Sequence, residues 1–210
     1  DHFIETRLDN QKPGFILECP PLQPMLMATA LDGHGKFHAE IMRQRPFLQV
    51  LIALQRDGFH QESVGGKVYL KSDGTPGLDY PVSNYVWEGI RDAFFAMSEI
   101  QFAAGAKTVA PVHRDAGLYH NIKEVKKAIA VLPMETLKAR LFPAHVMGCC
   151  PMGEDSAKSA VNSKGHHHEV ENLSVFDGSV FPTSIAANPM ESIFAATAKF
   201  ATELAKNMVN

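Results

Sequence analysis

The spacing of apolar positions divides the chain into recognisable elements. Gly14-Phe15-Ile16-Leu17-Glu18 predicts a short strand, ended by Pro20, Pro21 and Pro24. Phe37, Ile41 and Met42 share one face, which predicts a helix over 36–45. The almost wholly apolar run 47–55 is short for a helix and predicts a buried strand. Val64 to Tyr80 predicts a hairpin turning at Asp73-Gly74, where Gly accepts a positive φ. Ser83 or Asn84 then opens a helix to Ala104, with Val86, Ile90, Phe94, Met97 and Ile100 in its stripe. Gly105 is placed to end it, and a short strand is expected over Thr108-Val109-Ala110.

The second half follows the same logic. Asn121 and Glu124 have the spacing of a capping box. The helix they start must stop near Leu132, because Pro133 disfavours helix in the residue before it. Met134 to Leu141 predicts a second short helix. Leu173-Ser174-Val175-Phe176 predicts a strand closed by Asp177-Gly178-Ser179. From Met190 onward, Met190, Ile193, Phe194, Ala198, Ala201, Leu204, Ala205 and Met208 predict one long amphipathic helix. The strands and helices together are expected to form an α+β fold.

Composition narrows the function classes. A chain of 210 residues is long enough for a sizeable core. Its net charge of -3 marks neither a nucleic-acid surface nor an anionic-membrane surface. No apolar run reaches the roughly 18 to 20 residues of a membrane span. Cys19, Cys149 and Cys150 form no disulfide framework or zinc spacing, and are expected to be ordinary small or buried side chains. Asp1-His2-Phe3-Ile4-Glu5 has no initiator Met and no signal pattern. The chain reads as a piece of a longer or processed protein, so its cellular address is unreadable.

The candidate chemistry lies in the last third. A helix N-terminus carries unpaired N–H groups and partial positive charge, so the helix opening after Pro189 favours an anionic group. Asn188 offers one acceptor and two donors there, either to cap the helix or to hold a ligand. His145 lies among apolar and small residues. It is either a general base near neutral pH or a hydrogen-bonded structural histidine. His166-His167-His168 reads as a polar turn, because three consecutive side chains cannot all face one metal ion on a strand. Ser179 lacks the Gly-x-Ser-x-Gly setting of a nucleophile elbow. No Gly-x-Gly-x-x-Gly or Walker A sequence occurs, so no complete nucleotide site is encoded.

Taken in order, these residues resemble the C-terminal portion of the glucose–methanol–choline (GMC) flavoprotein oxidoreductases. His145, Gly148, Met152 and Gly153 match one motif. Gly165, His168, Val170 to Leu173, Val175, Asp177, Ser179 and Phe181 to Ser184 match a second, and Asn188-Pro189 completes it. The hairpin through Asp73-Gly74 and the segment Phe102-Ala103-Ala104-Gly105-Ala106 are similar to that family's substrate domain.

The resemblance implies an FAD-dependent enzyme that oxidises an alcohol. His145 would accept the hydroxyl proton, Asn188 would hydrogen-bond the substrate oxygen, and hydride would pass to flavin N5. Asp177 and Gly178 would approach the phosphate and ribityl region. Asn188, Pro189 and Met190 would face the pyrimidine edge, whose reduced form carries the negative charge that a helix mouth favours. Residues 1–143 would belong to a substrate-binding domain, a mostly antiparallel sheet backed by helices, and 144–210 would supply the strand and helix that complete an FAD-binding domain. The Gly-rich N-terminal half that grips the ADP part of FAD is not encoded here and would come from the same or another chain. The pattern is most similar to members acting on long-chain or other bulky alcohols and on sugars. A non-catalytic binding module without flavin is the alternative.

Overall fold

A computed structural model describes residues 13–58, 60–63, 65–185 and 187–209. The expectations placed on Asp1 to Glu5 and on Val64 lie outside them. The chain is α+β, with two two-stranded antiparallel sheets and five α-helices among the described residues. It divides into two compact units. One holds the chain up to Gln55 together with Val82–Phe142, and the other holds Arg56–Pro81 with Pro143 onward.

In the first unit, β1 (Phe15–Glu18) pairs antiparallel with β2 (Ile52–Gln55), placing Phe15 opposite Gln55. Helices α1 (Pro24–Ala30) and α2 (Gly35–Arg43) lie between them in sequence. The centre of the unit is α3 (Asn84–Ala103). The Ser83 hydroxyl accepts from the Val86 N–H at 3.4 Å, satisfying one of the orphan donors of the first turn. Gly105 holds φ 92° just beyond the helix end, as expected of a C′ glycine. Val86, Trp87, Ile90 and Phe94 of α3 form one buried cluster with Val109, Ala139, and Val125 and Ile129 of α4 (Ile122–Val131).

Helix α4 starts where the capping-box spacing placed it. Asn121 Oδ1 accepts from the Glu124 N–H at 3.0 Å. The reciprocal bond shifts by one residue, since Glu124 Oε2 accepts from the N–H of His120 rather than of Asn121. At the other end, Arg91 Nη1 donates to the carbonyls of Ile129 (2.5 Å) and Leu132 (3.1 Å). Those carbonyls belong to the last turn, where a cation is favourable.

Three predicted elements of this unit differ. The strand expected over 47–55 begins only at Ile52. Pro46 starts a 3-10 turn over Arg45–Phe47, and Phe47 is 86% exposed rather than buried. The helix expected over 134–141 does not form. That segment instead pairs with 112–114, through Arg114 N–H to Lys138 O and Arg140 N–H to Val112 O. Tertiary pairing outweighs local propensity there, and Ala139 becomes part of the core. The strand over 108–110 reduces to a single bridge between Val109 and Tyr119.

In the second unit, β3 (Lys67–Leu70) and β4 (Pro76–Asp79) form the expected hairpin, with Gly74 at φ 80°. Tyr69 lies opposite Gly77, and its ring covers that glycine so closely that an added Cβ would meet it at 2.5 Å. Helix α5 (Met190–Val209) packs beside the segments 160–161 and 175–181 around Val161, Val180 and Phe200. The predicted stripe is corrected here. The buried face of α5 runs through Ile193, Ala196, Thr197, Phe200 and Leu204, with Phe200 only 4% exposed. Met190, Phe194, Ala198, Ala201, Ala205 and Met208 of the predicted stripe stand in solvent. Phe200 stacks obliquely on Phe176 with centroids 5.5 Å apart, which draws the helix toward that face. The strand expected over 173–176 is reduced to one bridge, Ser174 to His166.

Two measurements test this packing. Ile129→Ala removes a fully buried side chain and should cost about 2–5 kcal/mol in denaturant unfolding. Asp115 is held below the ordinary carboxylate value, chiefly by the Lys138 ammonium that hydrogen-bonds it at 2.7 Å. A depressed folded pKa means that this contribution is present above the unfolded carboxylate value and is lost as pH falls through the folded one. Lys138→Met should therefore raise the Asp115 titration midpoint toward the ordinary value, followed by NMR. An unchanged midpoint would exclude the pair as the cause.

Candidate active site

Three stretches of the second unit converge at Gly178. After Pro143 the chain passes the exposed His145 and turns at Gly148 and Cys149. It then runs beside 179–180, with Cys150 N–H donating to Ser179 O at 3.1 Å and Met152 N–H to Val180 O at 2.8 Å. These bonds hold the His145 loop along the Asp177–Phe181 segment. The first turn of α5 closes the third side. A Cβ built on Gly178 would lie 3.1 Å from the Val146 carbonyl oxygen and 3.0 Å from Ile193 Cδ1. Only hydrogen fits at that position without displacing a neighbour.

Asp177 precedes this contact and opens a 3-10 turn over Gly178–Val180. Its carboxylate accepts from the Ser179 N–H at 2.8 Å and from the Ser179 hydroxyl at 2.6 Å. The side chain is thus turned onto its own loop, and the backbone of Gly178 is buried beneath. Asn188 is exposed, Pro189 is buried and Met190 is exposed. The Ile193 N–H donates to Pro189 O at 2.9 Å. The N–H groups of Met190, Glu191 and Ser192 precede that bond and are the orphan donors of a 20-residue helix. They suit an anionic edge, and Glu191, exposed in the first turn, also balances the dipole there.

Of the predicted site residues, the structure brings the His145 loop, Gly178 and the start of α5 together around one contact. His145 is exposed, and its ring has no hydrogen-bond partner among the described residues. Residues that sequence reasoning passed over hold the surrounding loops. Thr183 Oγ1 donates to Gly58 O at 2.9 Å, fastening the segment before Asn188. Beside it, the Tyr80 hydroxyl donates to the Asp57 carboxylate, whose pKa burial raises and the Gly58 N–H partly lowers. The wide separation in sequence left no local signal for these contacts.

The three histidines after Gly165 diverge. The His166 Nδ1 lies 2.9 Å from Ser174 Oγ, and the His167 Nδ1 accepts from the N–H groups of Glu169 and Val170. The His168 Nε2 lies 2.9 Å from Ser159 Oγ and 3.2 Å from Gly153 O. Each ring therefore braces a different part of the loop. The three cysteines are free, Cys19 and Cys149 exposed and Cys150 half-buried. No described helix is long and apolar enough to cross a membrane.

The packing at Gly178 sets a graded expectation. Gly178→Ala requires small shifts, whereas Gly178→Val must displace Ile193 or the Val146 carbonyl and should cost about 1–3 kcal/mol. Thermal unfolding of both variants reads the difference. Equal midpoints for Gly178→Val and the parent would show that the contact is not tight.

Comparison with known proteins agrees with the sequence motifs. A family model described as GMC oxidoreductase matches residues 62–197. The long-chain-alcohol oxidase FAO1 of Arabidopsis thaliana is 35% identical over 204 residues, covering 91% of this chain and 26% of its own length. The long-chain-alcohol oxidase FAO4A of the same plant is 32% identical over 124 residues, covering 55% of this chain and 17% of its own. A GMC-type oxidoreductase of Sinorhizobium fredii, y4nJ, is 31% identical over 125 residues, covering 57% of this chain and 25% of its own. The chain thus spans 17% to 26% of the length of these three relatives.

Proposed function

The chain belongs to the GMC oxidoreductase family, matching its C-terminal portion, and from that premise we propose that it forms the substrate-facing part of an FAD-dependent alcohol oxidoreductase. The observation that carries the reading is the convergence of the His145 loop, Gly178 and the first turn of α5 at one contact. A base, a close backbone and a donor-bearing helix start are the parts that such a site needs.

Bound FAD would supply the acceptor for the hydride of the alcohol carbon. The chain's own residues prepare that carbon. His145, exposed and unpaired among the described residues, accepts the hydroxyl proton. Asn188 orients the same oxygen through its side-chain amide. The Met190, Glu191 and Ser192 N–H groups would offer fixed positive charge to the cofactor's pyrimidine edge. Asp177 keeps its carboxylate engaged with Ser179, so the backbone rather than an anion would face the cofactor's phosphate region. Residues 1–143 serve the substrate-binding portion and 144–210 the return to the FAD-binding domain. The Gly-rich half that binds the rest of FAD is supplied from outside this chain. Long-chain or other bulky alcohols are the substrate class, as the names of the plant relatives favour.

The test is an assembled, FAD-loaded enzyme assayed for alcohol oxidation with an artificial acceptor. His145→Ala should lower kcat strongly, and Asn188→Ala should slow the chemical step roughly ten-fold or more. A rate untouched by His145→Ala would remove it as the base. An assembly that takes up no FAD would favour the binding-module reading.

A further inference from the structure

The flavin reading leaves the cysteines unused. Cys149 and Cys150 are neighbours on the loop that passes His145, and both are free. Cys149 holds φ 77°, directly after Gly148 at φ 85°. A left-handed backbone is uncommon for a residue with a side chain, and ligand clamps are among the places that retain it. Cys150 is fixed by its N–H bond to Ser179 O at 3.1 Å, and the next pairing, Met152 to Val180, is held at 2.8 Å. One sulfur therefore rides on an exposed turn and the other on a fastened backbone. Among the described residues neither thiol has a hydrogen-bond partner, whereas Cys19 Sγ accepts from Gln49 Nε2 at 3.3 Å.

Two adjacent thiols can react together in two ways. Direct closure to a disulfide is disfavoured, because consecutive Cα atoms lie about 3.8 Å apart and disulfides prefer about 4.4–6.8 Å. A soft centre between the sulfurs widens the ring and removes that conflict, and thiolates select soft centres.

We propose that Cys149 and Cys150 form a vicinal-dithiol site that chelates one soft, thiophilic centre, with trivalent organoarsenicals as the representative class. With an organoarsenic oxide, two S–H bonds and the arsenic–oxygen double bond are lost and two As–S bonds form. The two protons leave with the oxygen as water. Arsenic stays trivalent, so no oxidant or reductant is required. The site is independent of the flavin reading, and its test needs no alcohol turnover.

Phenylarsine oxide is added to the full chain under native conditions, after reduction and removal of the reductant. Intact mass should show one arsenical per chain, and two of the three thiols should become untitratable. A small dithiol should release it, while a monothiol at equal concentration should not. Cys149→Ser and Cys150→Ser should each weaken uptake roughly a hundred-fold, the scale of a lost second linkage. Cys19→Ser should bind as the parent does. Tryptic mapping of the unmodified sequence gives the same answer if a variant folds poorly, because the arsenical must travel with the fragment from Leu141 to Lys158. Full uptake by Cys149→Ser or Cys150→Ser, an adduct on the Cys19 fragment, or no uptake at all would overturn the proposal.

Discussion

At Gly178 the second unit is packed so closely that even a Cβ would press on its neighbours. The Val146 carbonyl approaches from the His145 loop and Ile193 approaches from α5. The rest of the candidate site depends on this exclusion. A branched side chain there would press the loop that bears the proposed base away from the helix that bears the proposed donors. The hydrogen bonds from Cys150 and Met152 to Ser179 and Val180 then set the register of the two strands of chain. Asp177, by accepting from Ser179, keeps the turn closed from the other side. Packing and hydrogen bonding thus fix the same geometry, which is how loops are held to the tolerance that a reacting group requires.

The first unit obeys a different constraint. Its core is a helix pair, with Val125 and Ile129 of α4 closed against Val86, Trp87, Ile90 and Phe94 of α3. Arg91 ties the two by donating to carbonyls at the end of α4, so the burial of the apolar face and the satisfaction of the helix terminus occur together. The β1–β2 pair also packs on α3. Gly89 meets Pro13 and Gln55 there, and Gln55 Nε2 donates to Gly89 O at 3.2 Å.

Much of this was legible in the sequence, and the legible parts share a cause. The caps at Ser83 and Asn121, the turn at Gly74 and the stop at Gly105 are local chemistry, encoded within a few residues of where it acts. What the sequence hid was tertiary. Residues 134–141 have helical spacing but gain more by pairing with 112–114. Helix α5 carries apolar residues on two faces, and periodicity could not say which would be buried. Phe200 decided it by meeting Phe176, a contact between distant positions. His145 stands out locally as a histidine among apolar and small residues, whereas the close contact at Gly178 joins positions distant in sequence and leaves no local signal.

The two-faced α5 has a thermodynamic consequence. Met190, Phe194 and Met208 are already hydrated in the folded chain, at 61%, 65% and 78% exposure. Surface that is wet in both states contributes nothing to the heat-capacity change of unfolding, which grows with newly exposed apolar area. The stability curve of this unit is accordingly flatter than its apolar content implies. In this chain by itself, the heat-capacity change of the unit comes from the side chains around Val161, Val180 and Phe200 rather than from the full apolar content of its final helix.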